Sequence, residues 1–294
     1  VDIPIEPFDS LNYSEFEIVF SALPSSIARE YEKVLADSGK KVFSNASAYR
    51  YEPNVPIMIP EINSDHFNVL QYQDSYQNGG FIITNSNCTV SGLAIFLSSL
   101  KRIGVMYSDV IVSSYQALSG AGFNGLSSIP RDRVIPYIEK EEEKMEIEAK
   151  KILGTVIKKE IISDSSFLLL ANCARVPVVD GHLESLTIKL TSKDEINKTK
   201  LIEKLSNITN PISHLPSSPN HHLIVFNGKK DRPQTPLDLY LGTKERAKGM
   251  AVVIGRIRIS DNYLRCFLLV HNTIRGGAGG SILNAELALE KGYL

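Results

Sequence analysis

The chain has 294 residues, 43% of them hydrophobic, which is enough to bury a core in two domains or one large one. Lysine and arginine total 32 against 33 acidic residues, a balance that calls for neither a nucleic-acid nor a membrane partner. Three cysteines with no CxxC pair argue against a zinc knuckle or disulfide framework and fit a reducing, cytoplasmic setting. No apolar run approaches the roughly 20 residues of a membrane span, and no signal-peptide pattern is present.

In chain order, residues 17–23 read as a short buried strand, followed by a turn at Pro24 and Ser25. Ile27, Tyr31, Val34 and Leu35 recur at helical spacing, and Gly39 stops that helix. Residues 41–46 predict the next strand, completing a strand–helix–strand unit of a parallel sheet. Pro53, Pro56 and Pro60 mark an irregular segment. Residues 81–84 predict a strand. Leu93, Ala94, Phe96, Leu97 and Leu100 predict a helix from Val90, with Lys101 and Arg102 suited to its C-terminal end. Residues 109–116 are again strand-like, and Ser119, Gly120, Ala121, Gly122 and Gly125 form a glycine-rich loop. Residues 139–152 make a charged helical run, and residues 167–190 are β-rich. Residues 192–195 form a capping box opening a helix up to about Ile208. Two strands, 250–259 and 264–270, predict a hairpin around Ser260, Asp261 and Asn262, and a last helix runs over 280–291. No internal repeat or low-complexity tract interrupts this order, which predicts two interleaved domains with the last helix returning to the first.

Cys88 is placed at a strand–helix junction, where the helix N-terminus favours a thiolate; such a position lowers a thiol by one or more units from about 8.5. The bland alternative for a lone cysteine is a small buried hydrophobe. His182 ends the run Arg175-Val-Pro-Val-Val-Asp-Gly-His182 and is the leading base, since imidazole titrates in the useful range. Arg175 can clamp a carboxylate bidentately, and the two are expected at the ends of one strand, facing one cleft. Taken singly, an arginine is usually a surface charge and a histidine usually a solvated one. The glycines at 120 and 122 let backbone amides approach a phosphate, a weak signal alone. His221 and His222 lack a carboxylate or cysteine at ligand spacing, so no metal is expected.

Together these pieces resemble the aspartate-β-semialdehyde dehydrogenase family, in its archaeal and fungal branch, from about Ser21 to the C-terminus. Ser21, Ala22, Leu23, Pro24 and Ser25 look like the family's cofactor-side loop. The run 44–50 looks like the following strand end, with Ser47 at the cofactor and Arg50 on the phosphate leaving group. Asn87-Cys88 resembles the nucleophile and the asparagine before it. Gln116 to Gly122 resembles the loop carrying an active-site glutamine, with Ser119 and Gly120 bordering the nicotinamide. Glu141 and Lys144 align with a substrate-contacting pair, supported by Glu148 and Lys151 downstream. Arg175 and His182 resemble the carboxylate-binding arginine and the acid/base histidine. Asn272 and Thr273, in the run 271–276, look like the cofactor-contacting segment before the terminal helix.

The resemblance implies an α/β fold: a partial Rossmann-type NADP-binding domain (1–86), an α+β catalytic and dimerisation domain with a mixed sheet (87–273), and a C-terminal helix (274–294) returning to the first. It implies NADPH-dependent reduction of 4-phosphoaspartate to aspartate semialdehyde and phosphate through a Cys88 thioester, in a homodimer or homotetramer serving lysine, threonine and methionine biosynthesis. Arg50 and Lys144 would help phosphate leave, Arg175 would hold the α-carboxylate and Glu141 the ammonium. Rival readings are a malonyl- or succinyl-coenzyme A reductase, an N-acetylglutamyl-phosphate reductase, a cysteine protease and a truncated non-catalytic dimerising protein. The chain opens on Val1 and carries no N-terminal glycine fingerprint. A fragment of a longer protein, binding NADPH weakly or not at all on its own, is therefore the expectation, and an NADPH titration tests it.

Overall fold

The structure is a computed structural model and describes residues 5–122, 132–191, 196–228, 231–242 and 245–294. Its first sheet is built from β1 (Ile18–Ser21), β2 (Lys41–Ser44), β3 (Ile57–Met58) and β4 (Phe81–Asn85), all parallel, in the order β1-β2-β4-β3. Helix α1 (Ser25–Asp37) connects β1 to β2, and Gly39, at φ +88°, turns the chain into β2. Every residue of β4 is buried, as expected of a parallel strand covered on both faces. β1 departs from the expected buried strand: Ile18 and Phe20 are 39% and 52% exposed, because among the described residues β1 pairs with β2 on one side and with no strand on the other. Within the proline-rich stretch, β3 and the short α2 (Pro60–Asn63) are regular, with Pro60 at the helical position where its missing N–H costs nothing.

α3 (Cys88–Arg102) is apolar nearly all round and correspondingly buried. It runs beneath a six-stranded mixed sheet, in the order β10-β11-β12-β9-β5-β8, made of β5 (Tyr107–Gln116), β8 (Leu168–Arg175), β9 (His182–Leu190), β10 (Leu223–Val225), β11 (Val252–Ser260) and β12 (Tyr263–Val270). α3 and α4 (Glu141–Ile152) cover one face of this sheet and share its core with Val110, Val112, Leu169, Leu186, Ile188, Leu268 and Val270. β6 (Thr155–Ile157) and β7 (Glu160–Ile162) form a separate small hairpin. The predicted β11–β12 hairpin closes on Asp261 and Asn262, both at positive φ, the two-residue turn whose twist suits a hairpin.

α5 (Lys198–Ser206) starts later than the sequence predicts. Asn197 caps it, its side-chain oxygen accepting from the N–H groups of Thr199 and Lys200. The capping box expected at 192–195 lies outside the described residues, as does Gly125. α6 (Gly279–Glu290) packs back on the first sheet, Leu283 and Leu287 meeting Phe43, Phe81 and Ile83. No helix among the described residues is long and apolar enough to cross a membrane.

Candidate active site

Three neighbouring strands end at one place. β5 runs parallel to β8 and antiparallel to β9, so the last residue of β5, Gln116, lies beside the last residue of β8, Arg175, and near the first residue of β9, His182. Arg175 and His182 are thus not the two ends of one strand, as the sequence suggests, but neighbouring ends of two strands flanking β5. α3 begins opposite them, with Asn87 as its cap and Cys88 as its first residue.

Cys88 Sγ lies 3.2 Å from His182 Nε2. Asn87 uses every polar group it has: its Oδ1 accepts from the Thr89 N–H at 2.9 Å, its N–H donates to Glu148 at 2.8 Å, and its Nδ2 donates to Glu141 at 3.0 Å. Gln116 Nε2 donates to Ser114 Oγ at 3.2 Å and more distantly to Glu141. Glu141 also pairs with Lys144 at 2.8 Å. Burial alone would raise the Glu141 carboxyl, but the Lys144 ammonium and the Asn87 and Gln116 amides outweigh it and hold it below the usual carboxylate range.

The charge on Cys88 runs against expectation. Burial first, then the Glu141 carboxylate, push the thiol up to about 12, against the pull of Arg50 and Arg175. The helix end that was expected to favour a thiolate is overridden by desolvation and a facing carboxylate. Burial, then Arg175 and His271, hold the His182 imidazole at about 3. At neutral pH the pair is a thiol facing a neutral ring.

The cleft holding these groups has a volume of about 450 Å³, and Leu23, Ser47, Arg50, Asn87, Cys88, Gln116, Gly120, Glu141, Lys144 and Arg175 all line it. A larger surface groove beside Arg102 and Lys200 is remote from them and has no nucleophile. Glycine leaves room at two points of the wall, against backbone at Gly276 and against side-chain ends at Gly120. A Cβ on Gly276 would lie 2.5 Å from Cys88 Cα, and one on Gly120 would lie 2.8 Å from Arg175 Nη1 and 2.9 Å from His182 Cε1. Arg175 donates to the Ala117 carbonyl at 2.8 Å and has no carboxylate in ion-pair range among the described residues. Arg50, by contrast, is paired with Glu148 at 3.0 Å and donates to the Asn45 carbonyl, leaving its buried Nε without a partner among the described residues.

Ser21, Ala22, Ser119, Asn272 and Thr273 do not line the cleft. Asn272 instead donates to Ser119 Oγ at 2.8 Å and accepts from the Gly181 N–H at 2.9 Å, bracing the loops on either side of His182. Ser25, at the end of the expected cofactor-side loop, has its hydroxyl 2.8 Å from that of Ser47; sequence reasoning missed Ser86, whose buried Oγ has no partner among the described residues. Single serines in loops carry no spacing signal. Among the described residues no three His, Cys, Asp or Glu side chains converge as metal ligands.

A Cys–His pair beside Arg50, Lys144 and Arg175, at the junction of a parallel α/β sheet and a mixed sheet, is the arrangement of an enzyme that moves an acyl group onto a cysteine thiol. Residues 1–70 match the family model described as semialdehyde dehydrogenase, NAD binding domain, and residues 100–275 match semialdehyde dehydrogenase, dimerisation domain. The aspartate-semialdehyde dehydrogenase of Archaeoglobus fulgidus is 41% identical over 99% of this chain and 81% of its own length. A malonyl CoA reductase (NADP) of Metallosphaera sedula is 32% identical over 99% of this chain and 81% of its own. The crystal structure of aspartate semialdehyde dehydrogenase with NADP from Candida albicans superposes with a TM-score of 0.82 at 34% identity, over 96% of this chain and 80% of that one. The chain belongs to the aspartate-semialdehyde dehydrogenase family.

Proposed function

We propose that this protein is an NADP-dependent aspartate-semialdehyde dehydrogenase that reduces 4-phosphoaspartate to aspartate semialdehyde, releasing phosphate. The observation carrying the reading is the 3.2 Å Cys88–His182 contact in a cleft that also presents Arg175, Arg50 and Lys144. The substrate is an amino acid with a carboxylate at one end and an acyl phosphate at the other. Arg175, with no carboxylate of its own, suits the α-carboxylate. Glu141, held ionised, suits the ammonium group. Arg50 and Lys144 suit the departing phosphate, Arg50 through its unpartnered Nε. The Cys88 sulfur takes the acyl group, and Gln116 and His182 offer N–H donors to the oxygen that becomes negative as the carbonyl is attacked.

NADPH, when bound, supplies the hydride. The cleft fits its nicotinamide end: Leu23 and Pro24 form an apolar shelf, the Ser25 and Ser47 hydroxyls lie beyond it, Gly120 and Gly276 keep the space beside Cys88 clear, and the orphaned Ser86 Oγ is available to a carboxamide. Ser21, at the end of β1, and Ala22, Ser119, Asn272 and Thr273 lie outside this wall and are assigned to the remainder of the cofactor site. We assign residues 1–86 to the dinucleotide-binding part, 87–273 to the catalytic and dimerising part, and 274–294 to a helix that completes the first. The open face of the mixed sheet suits association into a homodimer or homotetramer, in the cytoplasm.

The test is reverse turnover of aspartate semialdehyde with phosphate and NADP, set against turnover of malonyl-coenzyme A by the same protein. Phosphate-dependent NADP reduction is the expected result. Turnover of the coenzyme A thioester alone would give the chain to the reductase branch instead.

A further inference from the structure

Residues 231–242 form a strap across β11, β12 and β9, on the face of the mixed sheet opposite to α3. Leu239 of the strap is buried there with Val253 and Leu269, which alternate along their strands with the residues that meet α3. One end is seated at the bulge in β11. The Arg256 N–H donates to the Asp231 carbonyl at 2.8 Å, and a Cβ on Gly255 would lie 2.3 Å from that carbonyl oxygen and 2.6 Å from Pro233 Cδ. The strap also bonds to itself: Asp238 accepts from the Gln234 N–H at 2.7 Å and donates its own N–H to the Gln234 carbonyl at 2.8 Å.

From this seat the strap reaches the two loops that lead into the cleft. Thr235 Oγ1 donates to the carbonyl of Asp180. Gly181, at φ +92°, has no room for a side chain: its Cβ would lie 2.6 Å from Thr235 Oγ1 and 2.7 Å from Leu239 Cδ2. The next residue is His182, where β9 begins beside Cys88. On the other loop, Tyr240 Oη meets His271 Nε2 at 3.0 Å, and the His271 carbonyl accepts from the Gly276 N–H at 3.2 Å. Gly276 is the residue that lies flat against Cys88. Asn272 ties the two loops together by accepting from the Gly181 N–H at 2.9 Å. Among the described residues, none of the strap lines the cleft.

We infer that Thr235 is a positioning residue for the reaction, acting from the far face of the sheet through the Asp180–Gly181 turn, and that Tyr240 does the same through His271 and Gly276. The inference rests on the reading of this cleft as the site of the reaction proposed above. A hydrogen bond to a carbonyl is directional in a way that apolar contact is not. The Thr235 hydroxyl therefore sets the angle at which the turn delivers β9 to the nucleophile, while its methyl only fills space. The Tyr240 hydroxyl likewise fixes the loop whose backbone walls Cys88.

Reverse turnover of the full chain with aspartate semialdehyde, phosphate and NADP separates the hydroxyl of Thr235 from its bulk. Thr235→Val keeps the shape and loses the donor; Thr235→Ser keeps the donor and loses a methyl. Thr235→Val is expected to lower kcat about tenfold, a part of the roughly 100-fold that misplacing a reacting group by about 1 Å costs, with each KM within about twofold. Thr235→Ser is expected to stay within about threefold of the unaltered kcat. An unchanged kcat in Thr235→Val, a change confined to KM, or a serine variant as impaired as the valine variant would overturn the inference. Rates are referred to the folded fraction read by circular dichroism. If Thr235→Val does not fold, Tyr240→Phe decides in its place, since Tyr240 is 40% exposed. Its kcat is expected to fall at least about threefold, and an unchanged kcat would overturn the role of the strap. Alkylation of Cys88 by iodoacetamide, followed by mass, needs neither substrate nor cofactor. Its rate is expected to shift at least about threefold in Thr235→Val and to return in Thr235→Ser, and equal rates in all three proteins would count against the inference. An unaltered protein that is alkylated but does not reduce NADP refutes the proposed reaction, and the alkylation rates still judge the strap.

Discussion

Gly276 sits flat against Cys88, and its missing side chain is part of the nucleophile's environment. A Cβ there would meet backbone and Cβ atoms of Cys88 at 2.5 and 2.6 Å, contacts that only a shift of the helix start can relieve. Gly276→Ala should therefore lower turnover by roughly 100-fold, the effect of misplacing a reacting group by about 1 Å. A near-normal rate would show that the wall yields. Arg175 makes a different kind of claim. Its guanidinium is anchored to the Ala117 carbonyl and is otherwise open, so Arg175→Lys keeps the charge and removes the fork. KM for aspartate semialdehyde should rise about 10- to 100-fold, the worth of a charge-assisted hydrogen bond, with a smaller change in kcat. A fall in kcat alone would move Arg175 from binding to chemistry.

α4 joins the two halves of the site. Its buried face presents Glu141 and Lys144 to the cleft, then Glu148, whose two oxygens reach Arg50 and the Asn87 N–H, then Lys151, whose ammonium donates to the carbonyls of Arg50, Glu52 and Val55. Burial draws Lys151 down to about 8 despite Glu52 and Glu148. Lys151→Met would leave three carbonyls short of a donor and free the turn that carries Arg50. The expected cost is about 1–3 kcal/mol of stability, with KM for phosphate raised more than KM for the semialdehyde; equal changes would argue for a purely structural lysine. The helical spacing of Glu141, Lys144, Glu148 and Lys151 was legible in the sequence, because periodicity is a local property. Their partners were not, since Arg50 is 98 residues from Glu148. The same distinction explains the other gaps. The position of Cys88 at a strand–helix junction follows from neighbouring residues, but its thiol's upward shift depends first on burial and then on Glu141, both supplied by chain distant in sequence. β1 has the composition of a core strand, and only the strand order places it at an edge.

Over the whole molecule, buried histidines contribute to the response to acid, His182 and His222 among them. The folded protein takes up protons on His222 at about 4 and on His182 at about 3, each held down first by burial. The unfolded chain takes them up near about 6.5. Below that value the unfolded state binds more protons, so the contribution of these two histidines is full above about pH 6.5 and is lost as acid crosses the window down to about pH 3. The urea midpoint should be lower at about pH 5 than at pH 7.5, and His222→Gln should reduce the difference. A midpoint insensitive to this change would mean the histidines are not buried neutral. The opposite face of the mixed sheet is open: Ile111 and Tyr115 on β5, and Leu168 and Leu170 on β8, are each more than a third exposed. If this face is where copies associate, Ile111→Glu with Leu170→Glu should halve the mass seen by light scattering or reduce it further, while an unchanged mass would place the interface elsewhere.

The Glu148 bridge also limits how this protein can be recombined. Arg50 lies in the first sheet's part of the chain, and Asn87 and Glu148 lie in the second, yet one carboxylate holds both at 3.0 and 2.8 Å. A chimera exchanging residues 1–86 between homologues would cut across that carboxylate's two loyalties. Such hybrids should express and fold while turning over poorly, until residue 148 and the 50–55 turn are taken from the same parent.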